Sequence, residues 1–587
     1  MAFNPANPLV IQSDKTVLLE VNNDLYAEAR DALAPFAELE KSPEYIHTYR
    51  ITPLSLWNAA ASGLGAEQML AALERYSKYD LPGNVRIDIL DLVSRFGRLK
   101  LNKYGEDLLL TSSDRALIEE ILRNKHLAPL IQGREDETSL LVNAGNRGRL
   151  KQALIGFGYP AEDLAGYVTG AELPLALREW TLGGESFGLR PYQQDAVDVF
   201  HSGGGVTGGS GVIVLPCGAG KTMVGMGAIA ALQTQTLILT PSTVAARQWI
   251  RELLDKTTLT ADQIGEYTGL EKEIRPVTIA TYQIITYRKR RTDEFPHFAL
   301  FDRADWGLII YDEVHLLPAP VFRITADLQA RRRLGLTATL VREDGRQADV
   351  FSLIGPKKVD VPWKVLERQG WIAEAECIEV RVPLSENDRM VYALTPDEEK
   401  YRAAATNEVK YPVLDAILSK HPDDNVLIIG MYLDQLDQVA ARYQAPLITG
   451  KTPVREREKL FERFRNGEIR LLVVSKVANF AIDLPDANVA IQISGTFGSR
   501  QEEAQRLGRI LRPKRNGLLA HFYSIVVRDS RDQDFAANRQ LFLTEQGYQY
   551  NILYDHELGS YQPPVLAAKF QHERMQALPE GSHGKPV

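Results

Sequence analysis

The chain has 587 residues, 44% of them hydrophobic and 25% charged, enough for three to five domains that each bury a full core. Only Cys217 and Cys377 occur, which excludes a disulfide framework, a Cys-bound iron–sulfur cluster and a Cys-rich zinc site. A net charge of −8, with 19 Lys and Arg against 25 Asp and Glu in residues 1–180, excludes a generally basic surface, so nucleic-acid contact needs a local groove. No apolar run reaches membrane-spanning length, and residues 1–15 lack the basic start and apolar core of a secretory signal, which points to a cytoplasmic protein with no membrane partner.

In chain order, residues 1–180 read as mixed α/β without catalytic punctuation. Segments 75–79 and 95–103 mix basic and aromatic residues and read as solvated helix faces rather than nucleic-acid contacts. The stretch SGGGVTGGSG (202–211) lacks a Lys-Thr pair and reads as a flexible connector. Buried-strand patterns follow at 212–215, 236–239, 277–281, 307–311 and 334–337, with helical patterns between several of them. A second set lies at 426–430, 447–449, 470–475, 489–493 and 520–526. Strands alternating with helices predict two parallel sheets covered on both faces. One helix is punctuated by Thr452 as cap, Pro453 in the first turn and Gly467 as stop. The tail after Ala577 reads as disordered.

The run LPCGAGKT (215–222) sits between a strand and a helical stretch, as a phosphate-binding loop must. The backbone N–H groups of Gly218, Ala219, Gly220 and Lys221 would form an anion cradle. Lys221 would reach the β- and γ-phosphates and the Thr222 hydroxyl would hold Mg2+. The strict pattern has Gly where Leu215 stands. Further on, GLIIY (307–311) runs into Asp312-Glu313-Val314-His315. At this strand tip Asp312 would ligate the metal, Glu313 would orient and deprotonate the attacking water, and His315 would face the partner domain. These stretches predict hydrolysis of a nucleoside triphosphate. In the second unit, QRLGRILR (505–512) places Arg509 and Arg512 three apart on one helical face, where guanidinium groups stabilise charge on a transferring phosphoryl.

LRPYQ (189–193), LPCGAGKT, LTPST (239–243), DEVH (312–315), TAT (337–339) and QRLGRILR follow the order of superfamily 2 helicase motifs. More specifically the sequence resembles the XPB helicases, on GLTATLVRED (335–344), SKVANFAIDLPDANVAIQIS (475–494), GSRQEEAQRLGRILRP (498–513) and FLTEQGYQYNI (542–552). The resemblance covers about residues 180–555 and extends weakly to an N-terminal region like the family's damage-recognition domain. It implies two tandem RecA-like parallel-sheet domains forming a helicase motor, preceded by a mixed α/β N-terminal region. The implied division is 1–100 as an N-terminal domain, 101–180 as a damage-recognition-like domain, 181–362 and 363–555 as the RecA-like domains, and 556–587 as a tail.

The resemblance also implies roles. Gln193, with Arg190 nearby, would read adenine, and Asp483 would contact the nucleotide. Thr337 and Thr339 would couple hydrolysis to DNA movement, with His315 and Gln505 as further coupling residues. Thr240, Pro241, Ser242, Ser475 and Lys476 would touch a DNA backbone. Arg509 and Arg512 would be arginine fingers, and Arg342, Glu343 and Asp344 would act in DNA opening. A thumb-like insertion would lie near 385–410, with Arg389, Tyr392 and Arg402 able to grip a backbone, although that segment is rather acidic. Residues 478–481 (ANFA) depart from an acidic-polar expectation. The implied protein is an ATP- and Mg2+-dependent DNA translocase and 3′–5′ helicase acting on duplexes with a tail or fork, in DNA repair, with a nuclease or repair protein as partner. A DNA-stimulated ATPase switch that positions a partner, or an RNA helicase, are the readings left beside it.

Overall fold

The structure, a computed structural model, describes residues 3–41, 45–204, 208–290, 295–318, 320–321, 325, 331–338, 347–475, 487–497, 499, 503, 506–508 and 519–561. The chain divides into two compact units. The first takes in residues 1–362, 480–482 and 540–547, and the second 363–479, 483–539 and 548–587.

The first unit opens with two small sheets. Strands β1 (Leu9–Ile11), β2 (Thr16–Glu20), β3 (Glu38–Lys41) and β4 (Ile46–Arg50) form an antiparallel sheet in the order β1-β2-β4-β3. Helices at Tyr26–Leu33, Pro53–Ala61, Ala66–Tyr76 and Gly83–Arg95 cover it over a core that includes Leu19, Tyr49, Leu56 and Leu70. The next sheet holds β5 (Leu99–Tyr104), β6 (Asp107–Thr111), β7 (Gly133–Asp136), β8 (Ser139–Val142) and β9 (Ala161–Asp163) in the order β7-β8-β6-β5-β9. A buried ion cluster anchors it: the Asp163 carboxylate accepts from Arg147 at 2.7 Å and from Lys151 at 2.9 Å. The Tyr167 ring lies beneath both Arg147 and Arg333, and Arg333 belongs to the large sheet that follows.

That sheet comprises β10 (Ser210–Val214), β11 (Thr236–Thr240), β12 (Ile264–Tyr267), β13 (Val277–Thr281), β14 (Leu308–Asp312), β15 (Arg332–Thr337) and β16 (Lys357–Asp360). Every pairing in it is parallel. The second unit holds β17 (Ala375–Val382), β18 (Val426–Ile429), β19 (Leu447–Ile448), β20 (Leu471–Val474), β21 (Val489–Gln492), β22 (Ala520–Val527) and β23 (Tyr550–Tyr554), again all parallel. The spatial orders are β12-β13-β11-β14-β15-β10-β16 and β19-β20-β18-β21-β22-β17-β23. Numbered within each sheet, both read 3-4-2-5-6-1-7, so the two units are the same doubly covered architecture built twice. The fold is therefore two tandem RecA-like parallel-sheet domains preceded by a mixed α/β region.

Central strands such as VTIAT (β13) and TLILT (β11) are buried at every position, because helices cover both faces of a parallel sheet. Strands β12, β16, β17 and β23 escape the hydrophobic pattern. KKVD (β16) is an edge strand with polar residues, and AECIEVRV (β17) buries Glu379 by pairing it with Arg381 at 2.6 Å. Two local expectations are corrected. The helix expected after Thr452 spans Val454–Arg465, with Pro453 outside it as the cap residue, while the Thr452 hydroxyl accepts from the Thr449 N–H. The connector 202–211 is also shorter than expected, since Ser210 and Gly211 already pair with Arg333 and Leu334 in the sheet. The tail after Ala577 lies outside the described residues.

Lys410 closes the core of the second unit. Its ammonium donates to Asp532 at 2.7 Å and to the Ile493 carbonyl, and both side chains are 1% exposed. Arg539 and Glu503 are buried beside them. Removing one partner of such a pair leaves an uncompensated charge, at a cost of roughly 3–5 kcal/mol. Lys410→Met is accordingly expected to lower the unfolding midpoint of this unit by about 10 °C in a calorimetric scan.

Candidate nucleotide-binding site

Parallel register brings the strand ends together. Val214 pairs with Thr337, Leu336 with Asp312, and Thr240 with Thr281, so the loop 215–222, the Asp312-Glu313 pair and Thr337 share one edge of the first large sheet. The loop turns into helix Lys221–Leu232 through Gly218 and Gly220, whose φ values of 81° and 82° lie in the left-handed region. A side chain at 220 would also stand 2.4 Å from the Gln193 amide nitrogen and push that amide from its place beside the Ala219 carbonyl.

Lys221 reaches across the cradle to Glu313, its Nζ 3.3 Å from Oε1. Burial alone would lower the Lys221 ammonium, but the Glu313 carboxylate, with Cys217 and Asp312 behind it, outweighs burial and holds it up at about 12. Burial first, and then the Glu313 charge, push Asp312 up to about 6. Glu313 itself sits at φ 48° and ψ 54°, a backbone conformation that costs a non-glycine residue of order 1 kcal/mol and recurs at functional sites. His315 stands behind it, its Nδ1 lying both 3.4 Å from Glu313 Oε2 and 2.7 Å from the Thr337 hydroxyl. A continuous polar chain, Lys221–Glu313–His315–Thr337, thus connects the phosphate loop to the end of β15.

The donor chemistry fits magnesium. The Thr222 hydroxyl in the first helical turn and the Asp312 carboxylate are hard oxygen donors, and the half-buried Asp312 and Glu313 carboxylates side by side are a charge excess that a divalent cation relieves. Beside the loop is a cavity of about 310 Å³ lined by Phe187, Arg190, Gln193, Gly218, Met223 and Lys256 among others. Gln193 is buried, its Oε1 accepting from the Arg190 N–H at 2.9 Å and its amide donating to the Ala219 carbonyl at 2.8 Å. Tyr192 donates to the same carbonyl at 2.8 Å. Tyr192 lies inside the LRPYQ run but was given no role there, and Phe187, two residues before the run, carries no motif signal of its own.

Thr240 is fully buried, with its hydroxyl turned to the Ser242 and Ala280 carbonyls, while Pro241 and Ser242 are half-buried. Ser475 follows β20 in the second unit and is buried. Arg506 is buried as well, donating to Gln492 and to the Thr496 hydroxyl. In segment 385–410, helices Glu386–Leu394 and Asp397–Ala405 expose Met390, Val391 and Leu394. Two of its three expected gripping residues are engaged: the Tyr392 hydroxyl accepts from the Arg531 N–H, and Arg402 pairs with Asp434. Thr339, Arg342, Glu343, Asp344, Lys476, Asp483, Gln505, Arg509 and Arg512 lie outside the described residues, as do 478–481. Among the described residues no helix is long and apolar enough to cross a membrane.

Two parallel-sheet domains of one strand order, the first with a phosphate loop facing an acidic strand end, define the class of nucleotide-hydrolysing helicase motors. Comparison with known proteins narrows the class. Residues 366–580 match the model of the ERCC3/RAD25/XPB C-terminal helicase, residues 186–342 that of the type III restriction enzyme res subunit, and residues 9–136 that of a helicase conserved C-terminal domain. The Mycobacterium tuberculosis DNA 3'-5' helicase XPB is 59% identical over 93% of this chain and 97% of its own. The transcription and DNA repair factor IIH helicase/translocase subunit XPB of Encephalitozoon cuniculi is 32% identical over 94% of this chain and 83% of its own. Among solved structures, Saccharomyces cerevisiae Dbp5 bound to RNA and ADP BeF3 is similar at 15% identity and a TM-score of 0.44, over 63% of this chain and 91% of that one. The chain belongs to the XPB helicase family.

Proposed function

We propose that the protein is an ATP-driven DNA translocase and 3′–5′ DNA helicase that acts on tailed or forked duplexes in cytoplasmic DNA repair, beside a nuclease or repair partner. The observation that carries the reading is the Lys221–Glu313–His315–Thr337 chain, because it joins a phosphate anchor and a base to the strand end leading into the second motif cluster.

On this reading the loop N–H groups and Lys221 hold the phosphates, and Arg190 and Gln193 face the base from the cavity beside Phe187. Glu313 accepts the proton of the water that attacks the γ-phosphorus, and the bond to ADP breaks. Thr222 and Asp312 would hold Mg2+, which when bound would supply positive charge to the phosphates. Loss of the γ-phosphate changes what Glu313 and Lys221 pair with, and His315 carries that change to Thr337. We assign Asp483, Arg509 and Arg512 to the nucleotide, Thr339 and Gln505 to coupling, and Thr240–Ser242, 342–344, Ser475 and Lys476 to DNA, with the domain division at 100, 180, 362 and 555.

Because Asp312 must be ionised to hold the metal and its carboxyl is pushed up to about 6, protons compete with Mg2+ in mildly acidic solution. The Mg2+ concentration for half-maximal ATPase is expected to climb about tenfold per unit as pH falls below about 6. An unchanged requirement between pH 7.5 and pH 5 would remove Asp312 from the metal site. ATPase assays with single-stranded DNA, duplex DNA and single-stranded RNA at matched salt test the substrate. DNA should stimulate most, with steep salt sensitivity; stimulation by RNA alone would overturn the proposal.

A further inference from the structure

Trp249 lies on helix Thr243–Lys256, which begins directly after Thr240-Pro241-Ser242 and is capped by the Ser242 hydroxyl, accepting from the Ala245 N–H at 3.2 Å. The indole is 2% exposed, and its Nε1–H donates to Asp312 Oδ2 at 2.9 Å. The other carboxylate oxygen accepts from the Glu313 N–H at 3.1 Å, and the Tyr282 hydroxyl donates to the Asp312 carbonyl at 2.9 Å. The orientation of this carboxylate is therefore set by the Trp249 indole together with the Glu313 backbone N–H.

A buried tryptophan N–H needs some acceptor, and a backbone carbonyl is the bland choice. Trp57 and Trp306 make it, donating to the Leu92 and Leu300 carbonyls. Trp249 instead bonds a carboxylate at the tip of β14, which a core tryptophan has no need to do. The slot that receives it is cut by glycine. A Cβ on Gly225, in the helix that follows the phosphate loop, would stand 2.4 Å from the Trp249 ring. One side chain thus touches the helix of the phosphate loop and the acidic pair while riding on the helix that starts at residues 240–242. From Ser242 to Trp249 is about two turns, roughly 10 Å of rigid helix.

We infer that Trp249 is a positioning residue: its indole N–H fixes the Asp312 carboxylate for the metal and transmits occupancy of the 240–242 loop by a nucleic-acid strand to that carboxylate. The inference rests on the proposed roles of Asp312 and of residues 240–242. It makes the strand-contact helix itself the lever of DNA-stimulated hydrolysis.

Trp249→Phe keeps a buried aromatic ring but removes the N–H donor together with the part of the indole that packs against Gly225. It is expected to raise the Mg2+ concentration for half-maximal ATPase by about 10-fold, the scale on which partners of metal ligands act. The ratio of DNA-stimulated to DNA-free ATPase should fall toward one. A merely structural ring would move the thermal midpoint and leave both quantities alone. Independently of activity, the 19F resonance of Trp249 in protein labelled with 5-fluorotryptophan should shift when a single-stranded oligonucleotide is added without nucleotide. This uses the wild-type sequence, so it survives a Phe variant that fails to fold, and Trp249→Tyr then assigns the resonance. Asp312→Asn separates the two levels. If it retains Mg2+-dependent ATPase, the reading of the site is wrong. If it is inactive while Trp249→Phe keeps the wild-type Mg2+ requirement and stimulation ratio, or the resonance ignores bound oligonucleotide, only the role of Trp249 is overturned.

Discussion

Lys221→Ala is expected to reduce ATP hydrolysis by at least about 100-fold while leaving DNA binding nearly intact. The ammonium is the one cation that the described structure places inside the phosphate loop, and its nearest charged neighbour is Glu313 at 3.3 Å. It is held at about 12, so it is charged at every working pH, and a phosphoryl group entering the cradle meets a fixed positive charge in a water-poor site. Removing one preorganised donor to developing charge costs roughly 2.7–4 kcal/mol of transition-state stabilisation. The proposed DNA contacts lie on other loops, so an electrophoretic shift should persist in the variant. Turnover above about a tenth of wild type would mean that the loop does not anchor phosphate.

Glu313→Gln should leave ATP binding close to normal and slow hydrolysis by about 10²–10⁴-fold, the contribution of a positioned general base. The isosteric amide keeps the side-chain length on a backbone already held at φ 48°, so the cradle keeps its shape. The substitution has a second, signed consequence. The Glu313 charge is one of the two causes that raise Asp312, so its loss should move the acid limit of the Mg2+ requirement to lower pH. Nucleotide affinity measured with a fluorescent ATP analogue decides the role. If affinity collapses together with turnover, Glu313 acts as a ligand rather than as the base.

The phosphate loop and the acidic strand tip were legible because each follows an apolar run that only a doubly covered strand explains. Runs such as TLILT and VTIAT are buried at every position, and their C-terminal ends are where parallel register gathers chemistry. The edge strands β12 and β16 were not legible, since IGEY and KKVD carry polar residues and no apolar run, whereas the edge strand β19 was expected at 447–449. Pairing across distance was also hidden. No spacing relates Trp249 to Asp312, or Lys410 to Asp532 and Arg539, because those contacts are set by how helices cross the sheet. The segment 385–410 was legible only through the family resemblance, which gave no sign that Tyr392 and Arg402 are engaged within their own unit. The shared 3-4-2-5-6-1-7 order was out of reach for a related reason. Strand order follows from crossovers, and two of the seven strands in each sheet carried no strand signal.

If hydrolysis at this site drives directional opening of duplex DNA, strand separation must depend on which strand carries the tail. Strand separation measured on two duplexes of one sequence, one with a 3′ single-stranded tail and one with a 5′ tail, tests it most directly. ATP and Mg2+ should open the 3′-tailed duplex and leave the 5′-tailed one closed, and Glu313→Gln protein should open neither. DNA-stimulated hydrolysis with no separation of either duplex, or separation only from the 5′ tail, would contradict the account.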